Sequence, residues 1–337
     1  MKEIIILGNG FSIDFLKHIG MESKIDVTNL FKWGANVKWP GDDEIGFLSY
    51  KYCPYLWTLG ARPTLDKQST IDLIEEIITC ANVYAYEESG DRKKNKQVNP
   101  YIGAYNELIE YLKYLFIYYN DCIPLIEDSV YEWSWAKLFK RLNDNTNIEE
   151  IIVITYNYDI WLERILIKLG IEFCFPSFTP PPTGCKVKIY KPHGSISFTY
   201  KTALPKDAYR IKYTNEFFDG AVSDFNIQYD SLENNYIITA LIPPAGDSTR
   251  FNHSWSNKIR TDIKTIITNT SGEDEVMICG ISYWHVDRAE LDELFTSLNI
   301  DINIKVINPS IDRTLNAVIV SLFKNYILYE NSKVLEG

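Results

Sequence analysis

Asn157 and His193 have the chemistry to activate a water molecule together. An amide can orient the water, and an imidazole can take its proton near neutral pH. They are 36 residues apart, room for one helix and a returning strand. Each sits in a cluster of small or polar residues that directly follows an apolar run. The first is Thr155-Tyr156-Asn157-Tyr158-Asp159; the second is Lys191-Pro192-His193-Gly194-Ser195. Three more clusters occupy the same kind of position: Gly8-Asn9-Gly10-Phe11-Ser12, Gly280-Ile281-Ser282 and Asn308-Pro309-Ser310. A plain turn does not require such residues, yet each cluster alone has an ordinary explanation. Gly8-Asn9-Gly10 makes a tight strand-to-helix turn as readily as a phosphate cradle, and Ile13 stands where the dinucleotide fingerprint has its third glycine. No acidic ribose ligand follows a second strand at the expected distance. Asn157 is placed to cap a helix, and Asp159 to lie in its first turn. His193 lies between a proline and a glycine, where the backbone is constrained.

The elements that would position these clusters follow from hydrophobic periodicity. Residues 2–7 and 151–154 are unbroken apolar runs, as strands buried on both faces should be. Further strands are expected at 186–190, 236–242, 276–279 and 302–307. Spacing predicts helices over 11–19, 67–88, 101–120, 129–142, 158–169, 254–269 and 286–298, with a final helix near 311–329. Residues 20–65 read as irregular and aromatic, 196–234 as a small β-rich excursion, and 91–96 as a solvated loop. The alternation predicts an α/β fold: a Rossmann-like, doubly wound, mostly parallel sheet in one domain spanning 1–337. A helical insertion at 66–142 separates its first two strands. Ligands of such sheets sit at the carboxyl ends of the strands, where all five clusters fall.

Bulk properties narrow the function classes. The chain has 337 residues, 46% hydrophobic and 23% charged, enough to bury a large core. A net charge of −11 argues against direct nucleic-acid binding. No stretch approaches the roughly 20 apolar residues of a membrane span, and no secretory signal is visible, so a cytoplasmic protein without membrane contacts is expected. None of the six cysteines forms a Cys-x-x-Cys pair. No metal site is expected, and the cysteines read as free thiols.

Read in order, Gly8-x-Gly10-Phe11-Ser12, Thr155-x-Asn157-x-Asp159, His193-Gly194-Ser195, Gly280-x-Ser282 and Ile307-Asn308 resemble the NAD-binding domain of sirtuins. The likeness is closer to the sirtuin-like proteins of bacterial antiphage defence, whose pattern Pro243-Pro244 and Asp287 also match. The Gly-Asn-Gly-Phe start is similar to that of abortive-infection proteins. The resemblance covers residues 1–15 and about 150–310, and leaves out the helical block.

The resemblance implies a set of roles. Gly8, Gly10 and Ser12 would cradle the NAD pyrophosphate. Asn157 would hold the nicotinamide ribose and the attacking water, Asp159 would bind the carboxamide, and His193 would act as base. Gly280 and Ser282 would line the adenosine side, and Asn308 would bond its ribose. Asn9, Phe11, Asp14 and Thr155 would complete the NAD-binding set. The zinc cysteines and the Pro-Asp-Phe-Arg stretch of deacylating sirtuins are absent from the sequence, which counts against peptide deacylation. The expected activity is hydrolysis of NAD, as substrate, to nicotinamide and ADP-ribose in a regulated antiphage effector. The alternatives are an NAD-dependent deacylase or ADP-ribosyltransferase, and a sensor that binds NAD or ADP-ribose without turnover. A freely active NAD hydrolase would drain its own cell. The helical block, a homo-oligomer or a partner defence protein is therefore expected to keep the pocket closed until a signal arrives.

Overall fold

The computed structural model describes residues 1–42, 44–85, 98–214, 218–243, 253–281, 288–309 and 312–336. The first half runs β1 (Lys2–Leu7), α1 (Asn9–His18), α2 (Pro54–Thr58), α3 (Lys67–Ala85), α4 (Pro100–Asp121), α5 (Ser134–Asp144), β2 (Glu150–Thr155) and α6 (Trp161–Lys168). Then come β3 (Phe173–Cys174), β4 (Val187–Tyr190), β5 (Gly194–Tyr200), β6 (Ala203–Leu204), β7 (Phe225–Ile227), β8 (Asn235–Tyr236) and β9 (Thr239–Leu241). The chain continues through α7 (Ser254–Thr268), β10 (Glu275–Cys279), α8 (Arg288–Ser297), β11 (Asn303–Ile307), α9 (Arg313–Leu322) and β12 (Asn325–Tyr329).

Seven strands form one parallel sheet in the order β12-β11-β10-β1-β2-β4-β3. β1 lies at its centre, and Ile4, Ile5, Ile6 and Leu7 are completely buried, as an unbroken apolar run between two helical layers must be. From β1 the order moves out one way through β2 and β4, and the other way through β10, β11 and β12. The reversal lies between β1 and β10, and a crevice opens there beyond the strand ends. Register brings the clusters level. Leu7 pairs with Thr155 on one side and Cys279 on the other, while Tyr190 pairs with Ile154 and Ile307 with Cys279. The described residues of the five clusters therefore emerge along one edge.

The insertion between β1 and β2 is helical as expected, but it is not an appendage. α4 is buried almost all round, which requires cover on every side. It packs on α2 and α3, and also on β5 and β9. Its buried charges tie it to neighbours. Glu107 accepts the Tyr55 and Leu56 N–H groups at 3.1 and 2.7 Å, capping α2, and Lys113 Nζ donates to the Asn234 carbonyl at 2.9 Å.

Two expectations are corrected. The predicted helix over 311–329 ends at Leu322, and residues 325–329 form β12, parallel to β11. The Tyr-Ile-Leu-Tyr run favours a pleated strand, and Asp312 caps the shorter helix by accepting the Thr314 and Leu315 N–H groups. The strand expected at 236–242 is split between β8 and β9, and neither joins the main sheet. β9 instead pairs antiparallel with β5, which begins at Gly194. That glycine is obligatory: its φ is +88°, and a Cβ there would lie 1.8 Å from the Ala240 carbonyl oxygen. The loop expected at 91–96 lies outside the described residues. Among the described residues, no helix is long and apolar enough to cross a membrane.

Candidate active site

The glycine turn after β1 meets the turn after β10 backbone to backbone. Gly8 N–H donates to the Cys279 carbonyl at 2.9 Å, and Gly10 N–H to the Gly280 carbonyl at 3.3 Å. A Cβ on Gly10 would lie 2.3 Å from the Gly280 Cα, and a Cβ on Gly8 2.6 Å from the Gly280 oxygen. Gly280 has φ +62°, and a Cβ there would lie 2.1 Å from the Gly10 Cα. These three glycines are required by one another, before any ligand is considered. α1 then starts with no side-chain cap and no acidic residue in its first turn. No side chain therefore offsets the partial positive charge of its N-terminus at the crevice, although its Gly10 N–H is taken by the Gly280 carbonyl.

A cavity of about 660 Å³ occupies the crevice, within the usual range for small-molecule sites. Asn157 forms part of its wall. Its Nδ2 donates to the Gly8 carbonyl at 2.9 Å and to Ser12 Oγ at 3.0 Å, and its N–H donates to Thr155 Oγ1 at 3.2 Å. Two acceptors on one side assign the amide orientation, so Oδ1 is the group that Asn157 offers to the cavity. Ser12 Oγ in turn donates to Asp159 Oδ2 at 2.7 Å, and Asp159 Oδ1 accepts the Trp161 N–H at 3.1 Å. The helix expected from 158 starts instead at Trp161, with Ile160 as its N-cap; Asp159 precedes it and holds its first N–H, while Asn157 turns toward the glycine loop. Below them Lys191 Nζ donates to the Asp159 carbonyl at 2.5 Å and to Glu163 Oε1 at 2.9 Å, fully out of water. Burial raises the carboxyls of Asp159 and Glu163, against the pull of the Lys191 charge.

His193 reaches the same cavity from the turn between β4 and β5. Its Nε2 lies 3.1 Å from Glu290 Oε2 on α8, and Arg260 Nη2 on α7 lies 3.1 Å from that oxygen. Tyr156 stands edge-on to the imidazole, with ring centroids 4.9 Å apart. Burial would raise the Glu290 carboxyl, but His193 and Arg260 outweigh it and hold the group down at about 2. An ionised carboxylate only accepts hydrogen bonds. Nε2 therefore carries the hydrogen, and in a neutral ring Nδ1 is the basic nitrogen. The Cys279 thiol also lines the cavity, and burial pushes it well up, which keeps it protonated.

Of the residues singled out in the sequence, Gly8, Asn9, Gly10, Asp14, Asn157, His193, Gly280 and Asn308 line this one cavity. Four others lie behind its wall. Phe11 packs against Trp133 and Trp135, with centroids at 5.2 and 5.3 Å; Ser12, Thr155 and Asp159 are buried in the network under Asn157. A carboxamide contact by Asp159 does not fit that position. Asp14 is partly committed, since its Oδ2 accepts from Trp133 Nε1 at 3.1 Å and Ser332 Oγ at 2.7 Å. Ser282, Asp287, Pro244 and Ser310 lie outside the described residues.

The sequence reading missed Glu290, Arg260 and Tyr156 beside the histidine, and the Lys191–Glu163 pair. It also missed the wall supplied by the insertion, where Lys67, Thr70, Ile74 and Phe116 face the cavity. Among the described residues, no group of three or more His, Cys, Asp or Glu side chains is arranged to hold a metal ion. No protein-family model matches this chain, and no curated protein is similar enough to count as a relative.

Proposed function

We propose that the chain is a cytoplasmic NAD glycohydrolase. The observation that carries this reading is the meeting of Asn157 and His193 on one cavity wall, beside an uncapped helix N-terminus at the sheet's switch point. The positive end of the α1 dipole suits a pyrophosphate. Asn157 Oδ1 accepts a hydrogen bond from a ribose hydroxyl or from the attacking water. That water's oxygen bonds to the ribose carbon as the bond from this carbon to the nicotinamide nitrogen breaks. The electron pair of the broken bond neutralises the ring, so nicotinamide leaves uncharged. The water's proton passes to the His193 imidazole, which Glu290 orients. The resemblance to antiphage proteins adds the setting: a regulated effector that depletes NAD.

The test is incubation of the purified chain with NAD, with nicotinamide and ADP-ribose followed by chromatography, alongside Asn157→Ala and His193→Ala. Release by the parent and loss in both variants is expected. Tight NAD binding without release would favour a non-hydrolysing sensor. Absence of binding would remove the reading altogether.

A further inference from the structure

β12 is the outermost strand of the main sheet. It pairs with β11 in unbroken register over five residues, and no described strand covers its other edge. The strand Asn325-Tyr326-Ile327-Leu328-Tyr329 contains no proline, charge or bulge, the usual guards of an open edge. Ile327 is 49% exposed and Leu328 41%, although they point to opposite faces. Val334, just beyond the strand, is also exposed.

The charges at the two ends of this strand identify the occupant. Lys324 precedes it and Glu330 follows it. An antiparallel pair of two copies centred on Ile327 would set Lys324 against the partner subunit's Glu330, and the reverse, giving two opposite-charge contacts by symmetry. The same register would match Tyr326 with the partner's Leu328, and Ile327 with the partner's Ile327. A parallel pair would stack lysine on lysine and glutamate on glutamate. Glu330 has no ion pair among the described residues, and the Lys324–Asp301 contact at 2.6 Å is well exposed and weak.

We propose that the chain dimerises edge to edge through β12, antiparallel and two-fold about Ile327, which continues the seven-stranded sheet across the interface. The proposal does not depend on the reaction proposed above. It does bring the interface next to the cavity, because Glu330, Asn331 and Ser332 line it.

Sedimentation of the full chain over a concentration series tests it, with far-UV circular dichroism to check folding. A dimer is expected, and Ile327→Lys should weaken it at least tenfold. Lys324→Glu and Glu330→Lys should each weaken it, and the double variant K324E/E330K should restore it. A chain that is monomeric at every concentration would overturn the proposal. So would a dimer indifferent to Ile327→Lys, or a charge swap that fails to restore association.

Discussion

Replacing Gly10 by alanine separates two reasons for a glycine turn. If the glycine only admits a phosphate, the ligand-free protein should tolerate a methyl group. The structure instead sets that methyl carbon 2.3 Å from the Gly280 Cα and 3.1 Å from its nitrogen, backbone that cannot swing aside. Overpacking of this kind costs about 1–3 kcal/mol, and a backbone clash belongs at the upper end. Alanine's helix preference in the first turn of α1 returns up to about 1 kcal/mol. The expected net loss is about 2 kcal/mol. Gly280→Ala meets the same contact from the other side and adds a left-handed φ of +62°, worth about 1–2 kcal/mol more, with no helix to compensate. Its loss should be about 4 kcal/mol. Gly20 is the control: its φ is +68°, and nothing lies within 4 Å of the added carbon, so Gly20→Ala should lose only about 1 kcal/mol. Urea unfolding followed by tryptophan fluorescence, without NAD, should rank the losses Gly20, Gly10, Gly280. A Gly10→Ala protein that loses less than Gly20→Ala would refute the mutual-packing account and leave a ligand as the turn's reason.

Glu290→Gln keeps the shape beside His193 but removes the carboxylate that selects its tautomer; kcat for NAD cleavage should fall at least about tenfold with little change in KM, as steady-state kinetics would show. Glu3 behaves in the opposite way: burial first, then Glu275, push its carboxyl up to about 7. The folded chain holds that proton more tightly than the unfolded one, so this stabilisation is present below about pH 4.5 and is lost as pH rises through 7. Glu3→Gln should therefore stabilise the protein by at most about 3 kcal/mol at pH 8 and change little at pH 4, in urea titrations at the two pH values. Lys191→Met removes the cation from beside the fully buried Glu163 and should cost about 3–5 kcal/mol, whereas Lys191→Met combined with Glu163→Gln should recover most of the loss.

The central sheet was legible because its inner strands must be apolar on both faces. Ile4 to Leu7 and Ile151 to Ile154 carry that signature without interruption. β12 was not, since its run Tyr326 to Tyr329 is short and extends the pattern of α9. At the site, strand-end position was enough to find Asn157, His193 and the glycines. What sequence could not supply was direction. Ser12 and Asp159 belong to the right clusters, yet their side chains turn inward to each other, 147 residues apart in the chain. Glu290 gave no signal at all, because its partner His193 lies 97 residues away and its own helix shows an ordinary acidic surface pattern.

The contact between Gly10 and Gly280 also sets an order of events in the making of the protein. About 270 residues separate the two glycines, roughly 15–55 s of translation at about 5–20 residues per second. Through that interval β1 has β2 as a neighbour on one side, while its other edge waits for β10. β1 is thus made well before it is completed, and its open apolar edge is exposed to mispairing until β10 arrives. The cavity waits with it: the wall contributed by Gly280, Asn308 and Ser332 is still unmade, so the pocket cannot assemble before β10 and β11 are in place.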